Sequence, residues 1–172
     1  MQIGFIGVGA MGGGLARNLI RAGKSVLIYD INAAMVEKTL AAGTTGKAVQ
    51  NAADLAGCDL VFTSLPLPTH LQATMLGDAG LLAKMSPGAI YIDVSTIDPG
   101  TARELEAAAK EKGIPVVIND IGGGGTDYDV IVISDNYNVG VMAAEEMDRL
   151  IADTIKLAIP VPASPAPRNT IF

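Results

Sequence analysis

Short apolar runs alternate with longer segments whose apolar residues recur every three or four positions over the first 118 residues. Runs of this length are typical of buried strands, and the longer segments have the period of helices that cover one side of a sheet. In the first helix, Met11, Leu15, Leu19 and Ile20 are predicted to form the buried side. The pattern predicts strands at 2–6, 25–29, 59–65, 89–94 and 115–118, and helices at 10–21, 33–42, 50–56, 69–76, 81–85 and 99–112.

This alternation predicts an α/β fold with a doubly wound, mainly parallel sheet, helices on both faces and right-handed crossovers. Beyond residue 118 the pattern predicts a strand at 129–134 and a helix at 141–151, and 154–161 fits either a strand or a continuation of that helix. The Pro-rich run at 160–167 predicts an extended tail. We therefore expect a domain at 1–118, followed at 119–172 by a divergent completion of the same domain and the tail.

Composition and charge exclude several classes of protein. The chain has 172 residues, 49% of them apolar, which is enough for one core. Its net charge of −6 argues against binding to nucleic acid, and no apolar run approaches the roughly 18 to 20 residues of a membrane span. The single cysteine, Cys58, cannot form an intrachain disulfide, and no basic region precedes the first apolar run. We expect a cytoplasmic protein without a signal peptide, and too few His and Cys residues for a typical zinc site.

The first predicted turn carries a glycine pattern that is typical of phosphate binding. Gly7, Gly9 and Gly12 follow the first strand and open the first helix in the order G-x-G-x-x-G. Gly7 permits the tight turn, Gly9 lets a pyrophosphate approach the backbone, and Gly12 allows close packing of helix on strand. The helix then begins at Ala10 and Met11, where free N–H groups face the phosphates. The alternative is a plain tight turn between strand and helix.

Asp30 ends the second predicted strand, 18 residues after Gly12. A carboxylate at this place accepts hydrogen bonds from the adenosine ribose hydroxyls of a dinucleotide. It repels the 2′-phosphate of NADP, and the next residues, Ile31 and Asn32, supply no positive charge. The predicted cofactor is therefore NAD, with NADP disfavoured. The alternative for Asp30 is a solvated carboxylate at the end of a strand.

Three segments resemble, in order, the β-hydroxyacid dehydrogenases, which include 3-hydroxyisobutyrate dehydrogenase and tartronate semialdehyde reductase. They are GFIGVGAMG at 4–12, Leu65-Pro66, and YIDVSTIDP at 91–99. The resemblance implies a Rossmann-type NAD-binding domain with Leu65, Pro66 and Thr96 along the nicotinamide half of the cofactor. Read without it, Pro66 is a strand stop, and Ser95 and Thr96 are caps at the entry of the next helix.

The resemblance weakens after residue 117. Where the family has a segment whose serine and glycines hold the substrate carboxylate, this chain has Asp120 followed by Gly122, Gly123 and Gly124. The resemblance implies substrate binding at these glycines, since a polyglycine turn can present N–H groups to an anion. The serine hydroxyl is missing, however, and Asp120 disfavours a second carboxylate nearby. A flexible loop is the alternative.

The family's proton-transfer lysine lies in a G-x-G-x-x-x-K-x-x-x-N pattern that this sequence does not contain. Lys156 is the only lysine after residue 112, and its neighbours do not fit that pattern, which is typical of an ordinary exposed residue. We also expect the family's helical second domain to be absent from this chain, and the uncovered surface to favour a homo-oligomer. His70, the only histidine, follows Leu65-Pro66 and is either close to the nicotinamide or a half-exposed residue at a helix start.

Two functions follow from these observations. In the first, the chain is the NAD-binding domain of an oxidoreductase that transfers hydride between a nicotinamide cofactor and a short hydroxy acid, incomplete as a catalyst by itself. In the second, it is a dinucleotide-binding sensor, scaffold or remnant without catalysis. No catalytic residue is assigned in either.

Overall fold

The computed structural model describes residues 1–119, 130–132, 138 and 140–145. The chain divides into two compact units, Met1–Ser134 and Asp135–Phe172. In the second unit the described residues have helical backbone, which agrees with the beginning of the helix predicted there. The predicted domain boundary at residue 118 stays a prediction.

Two sequence-based expectations fall outside the described residues. The glycine run that contains Gly122, Gly123 and Gly124 is one of them, together with the neighbouring Asp120. The predicted segment at 154–161, with Lys156, and the Pro-rich run that follows are the other. The substrate-binding role of the glycines therefore stays a prediction.

Seven parallel strands form one sheet within the described residues. They are β1 (Gln2–Ile6), β2 (Ser25–Tyr29), β3 (Gly46–Ala48), β4 (Leu60–Thr63), β5 (Ile90–Asp93), β6 (Val116–Asn119) and β7 (Val130–Val132). Their order is β3-β2-β1-β4-β5-β6-β7, and each neighbouring pair is parallel. Because β1 lies between β2 and β4, the order reverses there, as in doubly wound dinucleotide-binding folds. The predicted fold class is confirmed.

Within the described residues, four α-helices connect these strands. They are α1 (Ala10–Arg21), α2 (Ala33–Leu40), α3 (Pro68–Met75) and α4 (Pro99–Glu111), and two short 3-10 helices occupy Ala52–Leu55 and Leu82–Lys84. The start of α2 is capped by Asn32, whose side-chain oxygen accepts from the N–H groups of Ala34 and Met35. Each element predicted between residues 2 and 118 is present, with ends that differ by no more than two residues. None of the helices within the described part of the chain is both long enough and apolar enough to cross a membrane.

The core consists of two apolar layers, one on each face of the sheet. On one face Ile3 and Phe5 of β1 pack with Ile20 of α1 and Val36 of α2. On the other face Ile6 of β1 packs with residues of α3 and α4, among them Leu71, Met75, Leu105 and Ala109. Successive residues of a strand point to opposite faces, so the apolar strands can serve both layers at once.

The predicted buried side of α1 is wrong for two of its four residues. Met11 and Leu15 are 54% and 39% exposed, whereas Gly12, Gly13 and Ala16 are buried. The small residues face the sheet because they let the helix axis approach the strands closely. At this end of α1 the small residues, and not Met11 and Leu15, therefore make the contact with the sheet.

Strand β3 was not predicted, because Gly46, Lys47 and Ala48 do not form an apolar run. They lie at the edge of the sheet and pair with Val26, Leu27 and Ile28 of β2. A side chain at Gly46 would come within 2.7 Å of Ile20 Cδ1 and 2.9 Å of Leu40 Cδ2. Gly46 therefore packs closely against α1 and α2, which its lack of a side chain allows.

Candidate functional site

The loops that follow β1 and β4 lie side by side where the strand order reverses. The N–H of Gly7 donates to the carbonyl of Tyr29 at 3.0 Å, and the N–H of Ser64 donates to the carbonyl of Ile6 at 2.8 Å. In open parallel sheets, ligands bind in the crevice outside the carboxyl ends of the strands at such a reversal. The predicted glycine pattern lies at this crevice.

Gly7 and Gly12 are required by the packing of the protein itself. Gly7 has φ of +85°, a conformation that side chains disfavour, and a Cβ there would overlap the carbonyl oxygen of Ser64. A Cβ on Gly12 would overlap the carbonyl oxygen of Gly7 and lie 2.8 Å from Ser64 Cβ and 3.1 Å from Phe5 Cε1. These two glycines bring α1, β1 and the loop after β4 together.

Gly9 is different, because no atom lies within 4 Å of the position that its Cβ would occupy. It is exposed and precedes the first residue of α1, with φ of −62° and no side chain that caps the helix. The N–H groups of the first helical turn have no acceptor within a helix, and they form its positive end. Ala10 and Met11, in that turn, are also exposed. The beginning of α1 therefore offers open space and N–H donors to an anion.

Asp30, just after β2, is tied to the glycine loop. Its Oδ2 accepts from the N–H of Val8 at 2.7 Å, and its Oδ1 accepts from the N–H of Asn32 at 2.8 Å. Each carboxylate oxygen has two lone pairs, so each retains capacity for a further donor such as a ribose hydroxyl. The structure thus brings Asp30 together with Gly7 and Gly9, as the sequence pattern predicts for a dinucleotide.

A second group of polar residues joins the loops after β4 and β5. Thr63 and Asp93 are paired at the ends of these strands, and Thr63 Oγ1 donates to Asp93 Oδ1 at 2.7 Å. The N–H of Ser95 donates to the same oxygen at 3.0 Å, and Ser95 Oγ accepts from the N–H of Leu65 at 2.9 Å. The hydroxyl of Tyr91 lies 2.9 Å from Thr63 Oγ1. We call Thr63, Tyr91, Asp93 and Ser95 the strand-end network.

Burial sets the charge properties of this network. It raises the pKa of Asp93 above its ordinary value, against the opposing effect of hydrogen bonds from Ser95 and Thr63. Burial also raises the pKa of Tyr91 well above its ordinary value, with a further contribution from Asp93. Tyr91 is thus a neutral donor, and because the Thr63 hydroxyl gives its proton to the carboxylate, Tyr91 donates to Thr63 Oγ1.

The other cofactor residues predicted from the resemblance lie in the two loops that this network joins. Leu65 is partly buried, and its Cδ2 would lie 3.0 Å from a Cβ on Gly7, so it borders the glycine loop. Pro66 and Thr96 are exposed. The predicted strand at 59–65 is too long, since β4 ends at Thr63 and the N–H of Leu65 turns toward Ser95. The contacts of these residues with a cofactor stay predictions.

Ser95 and Thr96 are not the cap of the helix that follows. Asp98 has that position, and its Oδ1 accepts from the N–H groups of Gly100 and Thr101 at 2.8 and 3.0 Å. Pro99 follows it in the first turn of the helix. Ser95 is thereby available for the hydrogen bond from Leu65, the contact that the sequence-based interpretation missed.

His70, the remaining candidate, carries no established role. His70 is exposed in the first turn of α3, and its possible contact with a nicotinamide stays a prediction. Within the residues that the structure describes, no three His, Cys, Asp or Glu side chains are grouped so that they could hold a metal ion.

An open helix start above a glycine turn, with a carboxylate at the end of the adjacent strand, is the geometry of a dinucleotide-binding α/β domain. The sequence supports the same class, because residues 2–128 match the family described as the NAD binding domain of 6-phosphogluconate dehydrogenase. The chain belongs to this family, as the amino-terminal NAD-binding domain of the β-hydroxyacid dehydrogenases.

Individual relatives agree with this assignment. The chain is 39% identical over 124 residues to the NAD-dependent L-serine dehydrogenase of Pseudomonas aeruginosa, and 37% identical over 128 residues to the 3-hydroxyisobutyrate dehydrogenase of that organism. Each match covers 72% of this chain and 41% of the relative. A solved structure of Mycobacterium tuberculosis 3-hydroxyisobutyrate dehydrogenase with L-serine aligns with a TM-score of 0.59 at 30% identity, over 67% of this chain and 38% of that one. The chain thus spans about two fifths of the length of these relatives.

Proposed function

We propose that this chain binds NAD at the crevice between the loops after β1 and β4, and presents its nicotinamide for hydride transfer with a short hydroxy acid. The observation that carries the proposal is the contrast among the three glycines. Gly7 and Gly12 are enclosed by protein atoms, whereas a Cβ on Gly9 would enter open space beside the uncapped start of α1. A pyrophosphate needs such close access to the backbone.

The residues around the crevice fit a dinucleotide along its length. The N–H groups at Ala10 and Met11 would hold the pyrophosphate, and Asp30 would accept from the hydroxyls of the adenosine ribose. Leu65, Pro66 and Thr96 would lie along the nicotinamide. When bound, the nicotinamide supplies the hydride acceptor for oxidation of a carbon that carries a hydroxyl. The chain itself holds and orients the cofactor.

We propose NAD rather than NADP as the cofactor. Asp30 already accepts two backbone N–H groups, so a 2′-phosphate at the same place would meet a fixed carboxylate. Ile31, 90% exposed, and Asn32 follow it, and neither can neutralise the phosphate. Two like charges at about 4 Å repel by roughly 1 to 4 kcal/mol near a protein surface.

The second candidate is a dinucleotide-binding module without catalysis. The sequence observation in its favour is the missing lysine pattern, together with the glycines that stand where the family has a substrate serine. If the chain belongs to a catalyst, we propose that the reacting hydroxy acid gains its proton-transfer group from outside this chain. A homo-oligomer and a cytoplasmic location are further proposals, the latter supported by the single buried thiol of Cys58.

Calorimetric titration of the 172-residue chain with NAD⁺ and NADP⁺ tests the cofactor site. We expect saturable binding of NAD⁺, tighter than that of NADP⁺ by roughly tenfold. Asp30→Ala should weaken NAD⁺ binding by about tenfold or more and remove most of that preference, because a charged hydrogen-bond partner is lost. The matched control is Asp59→Ala, since Asp59 also accepts a backbone N–H, that of Gln2 at 2.6 Å, at the opposite end of the sheet.

The same preparation tests the catalytic part. We expect NADH formation with a panel of 2- and 3-hydroxy acids to stay close to the rate without protein. Ready turnover by the chain alone would exclude the non-catalytic module and also our statement that the proton-transfer group comes from elsewhere. If neither NAD⁺ nor NADP⁺ binds, both candidate functions are wrong. Equal or tighter binding of NADP⁺ would overturn only the preference for NAD.

A further inference from the structure

The strand-end network lies beneath both loops that border the nicotinamide end of the crevice. Thr63 is fully buried, Tyr91 is 2% exposed, and Asp93 is partly buried. Three hydrogen bonds, 2.7 to 3.0 Å long, meet at the carboxylate of Asp93 and the hydroxyl of Thr63. None of these side chains belongs to the glycine pattern or to the residues expected to touch the cofactor.

The network fixes the distance between two backbone segments. From the loop after β4, the N–H of Leu65 donates to Ser95 Oγ in the loop after β5. The backbone N–H of Ser95 in turn donates to Asp93 Oδ1 at 3.0 Å. The chain of contacts therefore runs from Leu65 through Ser95 to Asp93, and from Asp93 back to Thr63 at the end of β4.

This path is needed because the backbone ladder stops short of the loops. The register of β4 with β5 ends at Thr63 and Asp93, and the N–H of Val94 donates to the carbonyl of Thr63 at 2.9 Å as the last backbone contact between them. Beyond that point only the Leu65 to Ser95 hydrogen bond joins the two loops among the contacts described. A side chain, and not the sheet, thus sets how far apart Leu65 and Thr96 lie.

We propose that Asp93 and Ser95 are positioning residues that hold Leu65-Pro66 and Thr96 at the spacing that the nicotinamide ring requires. This rests on the proposed function, since it concerns the nicotinamide half of the same site. The adenosine half is held by different contacts, those of Gly7, Gly9 and Asp30. Loss of the network should therefore reduce the binding of the nicotinamide part and leave the binding of the ADP-ribose part nearly unchanged.

The test compares NADH with ADP-ribose, which lacks the nicotinamide, on the full chain. In Ser95→Ala the acceptor for the Leu65 N–H is removed, and we expect the Kd of NADH to rise roughly three- to tenfold while that of ADP-ribose changes less than twofold. The fluorescence of bound NADH should shift toward that of the free cofactor, because it reports the environment of the nicotinamide. Ser25→Ala is the matched control, since Ser25 Oγ donates to Gln2 Oε1 at 2.9 Å at the far end of the sheet.

Asp93→Asn provides a second variant of the strand-end network. Ser95→Thr keeps the hydroxyl and should restore the affinity for NADH that Ser95→Ala loses. Circular dichroism and ADP-ribose binding show that each variant is folded. The proposal is overturned if NADH and ADP-ribose lose affinity together, or if neither does. If the unaltered chain binds ADP-ribose but gains nothing from the nicotinamide, the positioning role is wrong while the adenosine site stands. If it binds neither ligand, the proposed function has failed, and the positioning role with it.

Discussion

The two halves of the crevice are built in different ways. In the half at the start of α1, backbone geometry does the positioning, through the left-handed Gly7, the close approach of Gly12 to the Gly7 carbonyl, and the N–H of Val8 on Asp30. In the half between the loops after β4 and β5, side-chain hydrogen bonds position the residues of the site. The first half therefore tolerates no added atoms at Gly7 and Gly12, and the second depends on keeping polar groups paired. This difference predicts different responses to substitution.

The largest effect is expected at Gly12. In Gly12→Ala the new Cβ would overlap the Gly7 carbonyl and press on Ser64 and Phe5, so we expect the free energy of unfolding to fall by about 2 to 4 kcal/mol. Denaturant unfolding followed by circular dichroism measures it. Gly14→Ala is the control from the same helix, because no atom lies within 4 Å of its Cβ position, and it should gain about 0.5 to 1 kcal/mol. Equal stability of the two variants would contradict the packing role of Gly12.

A smaller loss is expected in the other half. Thr63→Val keeps the branched shape but leaves the Asp93 carboxylate and the Tyr91 hydroxyl each without one partner, so unfolding should become easier by about 1 to 3 kcal/mol. Thr74→Val, which removes a contact from Thr74 Oγ1 to the carbonyl of His70, should cost less than about 0.5 kcal/mol. If Thr63→Val is as stable as Thr74→Val, the strand-end network contributes nothing to the fold.

The smallest effect concerns pH, where Asp93 and Asp98 should respond with opposite signs. Burial raises the pKa of Asp93, so the folded chain holds its proton to higher pH than the unfolded chain, and its contribution to stability falls as pH rises through that window. Hydrogen bonds from Thr101 lower the pKa of Asp98, so its contribution is present above the unfolded pKa and is lost as pH falls through the folded pKa.

Melting temperatures of the chain, Asp93→Asn and Asp98→Asn between pH 3 and 7 measure these signs. Relative to the unaltered chain, Asp93→Asn should gain as pH rises, and Asp98→Asn should lose. Parallel curves for the two variants would mean that neither carboxylate has the environment described here.

The same division explains how much of the site the sequence could predict. The G-x-G-x-x-G pattern states a backbone geometry in consecutive residues, so Gly7, Gly9, Gly12 and the partner Asp30 could be located without coordinates. Their resemblance to one family extended the prediction to Leu65, Pro66 and Thr96. The fold followed from the apolar periods, because each strand lies between two apolar layers.

The parts that were missed depend on contacts between residues far apart in the chain. Thr63 and Asp93 are separated by 30 positions, and only the register of β4 with β5 brings their side chains together. Ser95 looked like a helix cap because it precedes a helix, yet Asp98 takes that position and frees it. Likewise, the buried side of α1 is set by how closely the helix can approach the sheet, so small residues rather than Met11 and Leu15 form it. The apolar periodicity and helix propensity of a sequence do not state how closely a helix approaches the sheet.

The most direct measurement of the central claim is the affinity of Gly9→Ala for NAD⁺, beside that of Gly14→Ala. Both positions are open, so both variants should stay folded, with a cost at Gly9 of less than about 1 kcal/mol. If a pyrophosphate lies against Gly9, the added methyl group should reduce NAD⁺ affinity by roughly tenfold or more, whereas Gly14→Ala should bind as the unaltered chain does. A folded Gly9→Ala that binds NAD⁺ with undiminished affinity would contradict the placement of the cofactor at the start of α1.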